Sequence, residues 1–454
     1  MKASGAIRGP FSCSPLRRRT MHKSAKPTCL FCKPVCVIST PSTEGEPPMS
    51  STTIHPPERL HGLDALRGGA LILGVVLHAS MSYLPTPIWL FPDDQTSPVA
   101  SVLFFAIHLF RMTTFFLIAG LFAHLLLGRR GVWGFIKDRA GRIANPMFGM
   151  WWVVFPAVIA VIVWKAAIDN GGSIPTDGPP PPPLTLETFP LLHLWFLWVL
   201  LLFYAVFLAI RLIGQRIDRK GSLAKGLDRL TGLLIGPWTP AILAAPLALA
   251  LWLTPDWIAF FGIPTPDKGF VPNPAAVIAF GLSFTVGILL DRRRDLLPRI
   301  EQLWPLFTLV ALGTGTGALM ISGGPGPSLA PLTDPSMKAF AAAVYAFAVF
   351  TATFAAIGLS LRFMSGYSAM RRYLADASYW IYLIHLPLVM AGQVLMLDIA
   401  LPWWAKLGAV VGGVMAVALL SYELLVRHTF IGKALNGRRV PWRKPSVPHA
   451  VPAE

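Results

Sequence analysis

The chain has 454 residues, of which 54% are hydrophobic and only 13% charged, with a net charge of +17 and a mean hydropathy of +0.58. Soluble domains carry roughly 25% charged residues, so the composition excludes one and points to an all-α integral membrane protein. The surplus of Lys and Arg is spread over alternate connections between apolar runs, which marks membrane topology and argues against nucleic acid as a partner.

Residues 1–58 combine basic, Ser/Thr and Pro residues with little apolar periodicity, and are expected to form a disordered basic tail. All four cysteines, Cys13, Cys29, Cys32 and Cys36, fall in it, so none can staple a membrane domain. With no second cysteine pair and no His at finger spacing, no metal site is expected there. No apolar core with a cleavage site follows Arg17, Arg18 and Arg19, so the first span is expected to act as its own insertion signal. A start at Met21 or Met49 would leave part of this tail unmade.

Apolar runs long enough to cross about 30 Å of hydrocarbon, roughly 20 residues as a helix, recur near 64–84, 98–127, 146–167, 191–212, 237–254, 273–290, 303–321, 337–361, 376–397 and 403–426. Strand-like alternation is absent, so a bundle of about ten transmembrane helices is favoured over a barrel. Every second connection is basic: Arg129 to Arg142, Arg216 to Arg229, Arg292 to Arg299, and Arg371 with Arg372. The intervening ones hold residues such as Asp93, Asp94, Asp169, Asp177 and Glu187, and this alternation places both termini in the cytoplasm. GGSIPTDGPPPPPLT, residues 171 to 185, is expected to be a stiff polyproline spacer, and the stretch 214–235 a basic interfacial segment. The domain so delimited runs from 59 to 430, and residues 431–454 are expected to form a basic cytoplasmic tail that anchors to anionic lipid.

Ionisable residues inside spans cost roughly 2.5–3.5 kcal/mol each at mid-bilayer, so they point to function. In LDALRGGALILGVVLHAS, residues 63 to 80, Arg67 and His78 are eleven positions apart, about 20° past three full turns and about 16–17 Å of rise, and so share one face. Asp64 is placed to pair with Arg67 at the inner end. On the second span His108 and Arg111 are neighbours at i,i+3; Arg111 lies too deep to reach the interface, and with carboxylates scarce in the spans an anionic ligand group would be its counter-charge. The ninth span puts Tyr382 and His385 on one face, with Tyr379 a turn earlier. His193 opens the fourth span beside Trp195 and Trp198, where membrane anchoring is an equally good account. Glu423, near the inner end of the tenth, can line a pore or simply pair with Arg427. In GFIKDRAGRIANP, Arg139 and Arg142 stand three apart, a spacing that suits bidentate phosphate binding as well as ordinary inside-positive charge. No phosphate loop, HExxH helix, GxSxG elbow or dinucleotide fingerprint is found.

LDALRGGALILGVVLHAS, FRMTTFFLIAG, FIKDRAGRIANP, HLWFLWVLLLFY, SYWIYLIHLPLV and ELLVRHTFIGKALNGRR together resemble the membrane acyltransferase-3 family, most closely its glucan biosynthesis protein C branch, over about residues 60 to 439. The resemblance implies a ten-helix bundle in the bacterial inner membrane that takes an acyl group, succinyl or acetyl, from cytoplasmic acyl-CoA to a hydroxyl of a periplasmic or cell-surface glucan or other glycan. It maps the family's Arg and His signature onto Arg67 and His78, and its paired arginines onto Arg139 and Arg142. No bound cofactor is implied; succinyl-CoA or acetyl-CoA is the co-substrate, and lipid and glycan are the partners.

The expected roles are then catalytic for His78, Arg67 and Asp64, donor-binding for Arg139, Arg142, Arg111 and His108, and acceptor- or pore-lining for His193, Tyr382, His385 and Glu423. His78 would act as general base or as a transient acyl carrier. Arg67 or Arg111 would stabilise the oxyanion or neutralise a succinyl carboxylate. Trp195, Trp198, Trp403 and Trp404 would suit stacking on sugar faces. The competing reading is a transporter or flippase of an anionic or lipid-linked solute, against which stands the lack of evident inverted repeats.

Overall fold

A computed structural model describes residues 61–174, 183–437 and 441. The tail with its cysteines and alternative starts, most of the proline run and the last residues of the chain lie outside these bounds. The described residues are helical: α1 (His61–Ser80), α2 (Pro98–Arg139), α3 (Asn145–Asp169), α4 (Trp195–Ile217), α5 (Ser222–Leu234), α6 (Thr239–Leu253) and α7 (Pro274–Arg292). Next come α8 (Leu297–Gln302), α9 (Trp304–Ile321), α10 (Pro335–Met364), α11 (Ala369–Met396), α12 (Trp403–Ser421) and α13 (Phe430–Asn436). Strand structure among them is limited to one bridge between Pro190 and Lys268.

Local chemistry sets where these helices begin. Ser97, Asn273 and Asp334 each accept a backbone N–H of the first turn of α2, α7 and α10, at 3.2, 2.9 and 2.7 Å. Each is followed by a proline, whose missing N–H costs nothing in a first turn.

Eight helical segments are long and apolar enough to cross a membrane, or nine if α5 and α6, bent by 99° at their junction, count as one broken span. The helices differ from the ten expected runs at two places. The runs at 98–127 and 146–167 share the 72-residue segment Pro98–Asp169, in which the helix is broken at Gly131, between the two runs, and a π-helical turn at Ala140–Ala144 joins the end of α2 to α3. The run at 237–254 forms only the 15-residue α6, too short by itself. Within the long segment, Gly131 at φ +67° interrupts α2, a conformation open to glycine.

α10 is the most enclosed of the candidate spans, with 67% of its most apolar stretch buried, against 17% for α9. Trp152, Val153, Ile210, Ile213, Leu309 and Leu312 are exposed, the outward-facing apolar surface expected against lipid. α5 is amphipathic: Leu223, Leu227, Leu230 and Leu233 are exposed at helical spacing, while Arg292, Arg293 and Arg299 bind its Asp228 and its carbonyls. That geometry suits a helix lying in the interface, as 214–235 was expected to do.

Candidate functional site

Three helices and the turn before α4 bring polar side chains together near the C-terminal end of α1. Gly74 and His78 are one turn apart on that helix, and Gly74 makes room for Arg111 of α2. A Cβ at position 74 would stand 2.2 Å from Arg111 Nη1. The His78 ring faces His385 of α11 at 5.3 Å, and His385 faces His193 at 4.9 Å, ring centre to ring centre. The hydroxyl of Tyr382 donates to the His193 carbonyl at 2.7 Å and so fixes the turn that leads into α4.

Helix α11 explains how two of these imidazoles are oriented. Pro387 sits within it and has no N–H to give the Leu383 carbonyl one turn back. His193 Nε2 takes that place, 3.3 Å from the Leu383 oxygen. A carbonyl only accepts, so His193 carries a proton on Nε2, which in the neutral ring leaves Nδ1 bare. By the same argument His385 Nδ1, 2.7 Å from the Tyr382 carbonyl, carries the proton and Nε2 is bare. Among the described residues, His193 Nδ1, His385 Nε2, His78 Nδ1 and Arg111 Nε are all buried and find no hydrogen-bond partner. Buried polar atoms are ordinarily paired. A guanidinium with no carboxylate beside it among the described residues, set among imidazole nitrogens without partners, is equipped to hold a negative group and to accept a proton.

His108, one turn before Arg111, is used differently: it stacks on Phe104 at 5.5 Å and its Nε2 donates to the Phe261 carbonyl at 3.0 Å. It ties a connecting loop to α2.

A second group forms at the other end of α1. Arg67 faces Asp64 at 3.5 Å and lies over the Phe122 ring. Asp138, nearly enclosed, is contacted by Arg130 at 2.9 Å, Arg139 at 3.2 Å and Arg142 at 3.3 Å. Three cations around one carboxylate leave a positive surplus, and Arg67 lies within electrostatic reach of Arg142. Arg139 also bonds the Tyr204 hydroxyl at 3.2 Å, and the Arg142 guanidinium packs against Gly437, where a Cβ would stand 1.6 Å from Nη2. Between the groups runs a pair of tyrosines. The Tyr379 hydroxyl donates to the Arg142 carbonyl at 2.6 Å, and its ring is nearly parallel to that of Tyr382 at 6.3 Å.

The structure thus gathers His78, Arg111, His193, Tyr382 and His385 in one place, and Arg67, Asp64, Arg139 and Arg142 in another. Arg111 and His108 stand apart from the arginine pair with which they were grouped, because they lie on the first half of α2, before the Gly131 break. Glu423 stands apart from the histidines; it accepts from Arg427 at 2.8 Å and faces His428 at 3.2 Å and the Tyr373 hydroxyl at 3.3 Å. This ion pair borders a cavity of ≈ 220 Å³ lined by Arg372, Tyr373, Asp376, Tyr422, Arg427 and Asn436. Sequence reasoning passed over Gly74 and Asp138. Asp138 stood inside a motif quoted for its arginines, so its signal was present; Gly74, one turn from His78, carried none.

A family model described as an acyltransferase domain matches residues 60–423. Over 156 residues the chain is 30% identical to proteins called glucans biosynthesis protein C from Salmonella paratyphi B and Salmonella heidelberg, a stretch that is 34% of this chain and 40% of each relative. The chain therefore spans less than half the length of the curated relatives it matches. No solved structure matches it. The family match takes in most of the chain and every residue of the histidine and arginine groups, and the chain belongs to the acyltransferase-3 family of membrane acyltransferases.

Proposed function

We propose that the protein is a multi-pass O-acyltransferase of a bacterial inner membrane, which moves a succinyl or acetyl group from cytoplasmic acyl-CoA to a hydroxyl of a periplasmic or cell-surface glucan or related glycan. The observation that carries this reading is the cluster of Arg111, His78, His385 and His193 with its buried, unpartnered nitrogens. The names of the Salmonella relatives favour a glucan acceptor. In this reading the Arg67 end faces the cytoplasm, the 72-residue segment crosses twice and the α5–α6 pair once, giving ten crossings with both termini inside.

The arginines around Asp138, with Arg67, supply a field for the polyanionic donor, and the Tyr379–Tyr382 pair lines the way to the histidines. There the acceptor hydroxyl oxygen attacks the thioester carbonyl carbon as its proton passes to an imidazole, for which His78 is best placed. Arg111 stabilises the negative oxygen that develops, or holds a succinyl carboxylate. The carbon–sulfur bond then breaks, and the departing thiolate takes up the proton.

The test uses protein reconstituted in liposomes with labelled acyl-CoA and a neutral glucan oligosaccharide. His78→Ala is expected to fold and to lose acyl transfer by about 10²–10⁴-fold, the usual contribution of a general base. Wild-type levels of glycan acylation in that variant would reject the role. Solute movement without release of free coenzyme A would favour a transporter instead.

A further inference from the structure

Two rings stand against His78. One is His385; the other is Trp89, on the loop between α1 and α2, with its ring centre 6.1 Å away. Resting on the acyl-transfer reading above, we propose that Trp89 is the floor of an acceptor subsite on which one pyranose ring of a neutral glycan lies, with a hydroxyl turned toward the His78 imidazole.

The position of this indole is built, not incidental. Trp89 Nε1 donates to Gln393 Oε1 at 2.9 Å, and Gln393 Nε2 donates in turn to the carbonyl of His78 at 2.9 Å. One buried amide therefore fixes both the indole and the end of the helix that carries the imidazole. One side of Trp89 also packs on the small apolar cluster of Phe91, Val154, Val158 and Met390. The loop is anchored further along by a buried ion pair of Asp93 with Lys406, at 2.8 Å.

Trp89 is half-buried, not enclosed. An aromatic face beside polar groups suits a sugar, whose C–H faces are apolar and whose rim is hydroxyl. A tryptophan that anchors a protein at the interface turns its N–H toward headgroups and water; Trp89 spends its N–H inward. Of the other tryptophans expected to stack on sugars, Trp195 is buried, Trp403 packs against the core, Trp198 donates to the Phe270 carbonyl at 2.7 Å, and Trp404, 63% exposed, has no ring contact with any of the clustered histidines.

The experiment measures free coenzyme A release by the full chain in nanodiscs, varying acetyl-CoA or succinyl-CoA and a neutral glucan oligosaccharide separately. Trp89→Ala is expected to raise the KM for the oligosaccharide at least tenfold while the KM for the donor stays within about twofold. Trp89→Phe, which keeps a ring, should fall between it and wild type. Gln393→Leu, which strands both the indole N–H and the His78 carbonyl, should raise the acceptor KM as well. An unchanged acceptor KM in a monodisperse Trp89→Ala protein overturns the subsite and leaves the acyl-transfer reading standing. Saturation-transfer NMR of the oligosaccharide with each protein separates the two ideas. A transfer signal that disappears in Trp89→Ala supports the subsite even where no thioester is consumed, and a signal that persists at wild-type strength overturns it.

Discussion

At position 74 a single hydrogen atom is all that stands between α1 and the guanidinium of Arg111, which approaches to a point 2.2 Å from where a Cβ would be. The obstruction falls on the tip of a flexible side chain, so Gly74→Ala leaves the backbones free to keep their places. Alanine is also the better helix former by about 1 kcal/mol. The variant is therefore expected to melt at or slightly above the wild-type temperature, yet to lose roughly 10–100-fold in turnover, because a displacement of about 1 Å at a positioned group can cost that much. Thermal melting and reconstituted turnover, measured side by side, check the split. Full activity in Gly74→Ala would mean that Arg111 does not act from this notch. Arg111 itself was legible in the sequence, since an arginine deep in an apolar run is conspicuous. Gly74 was silent, because a glycine's meaning lies in what comes near it, and that depends on packing.

Between elements, α2 and α7 meet backbone to backbone. A Cβ on Gly120 would lie 1.9 Å from the Phe284 carbonyl oxygen, and one on Gly287 1.9 Å from that of Leu117. Reciprocal glycines of this kind let two membrane helices touch backbone to backbone, where van der Waals packing replaces the hydrophobic effect. Here the obstruction is backbone and cannot swing aside. Gly287→Ala should destabilise the protein by about 1–3 kcal/mol, the usual range for overpacking, and lower the temperature at which the solubilised protein loses its monodisperse peak. Gly412 on α12 has nothing within 4 Å, so Gly412→Ala is the matched control and should melt no lower than wild type. Equal melting of the two variants would show that this contact is not needed. Apolar length alone foretold most of these helices, and the Ser97, Asn273 and Asp334 caps mark starts that a sequence can show. The continuous turn at Ala140–Ala144 and the bend before α6 were not readable, because hydropathy measures how apolar a segment is and not whether its helix continues.

Across the whole molecule, the site draws on residues from position 78 to position 385, and each was conspicuous by itself as an ionisable group in an apolar run. Their convergence was not: Pro387, Leu383 and His193 form one arrangement only once α11 and the turn before α4 are packed together. The same limit hid a polar contact that joins distant parts of the chain, in which Lys406 meets both oxygens of Asp93, at 3.0 and 2.8 Å, and the Leu397 carbonyl at 3.1 Å. Asp93 reads in sequence as one more acidic loop residue, yet the two side chains are only 1% and 2% exposed. This pair holds the loop after α1, which carries Trp89, to the start of α12. Removing one member of a buried pair leaves the other charged and unsatisfied, at a cost of about 3–5 kcal/mol, whereas replacing both with apolar side chains can be nearly neutral. Lys406→Met alone should therefore lower the melting temperature of the solubilised protein sharply, and Lys406→Met combined with Asp93→Leu should recover most of that stability. A Lys406→Met protein that melts with the wild type would show that the loop is held by its apolar contacts, and that this ion pair does not close the fold.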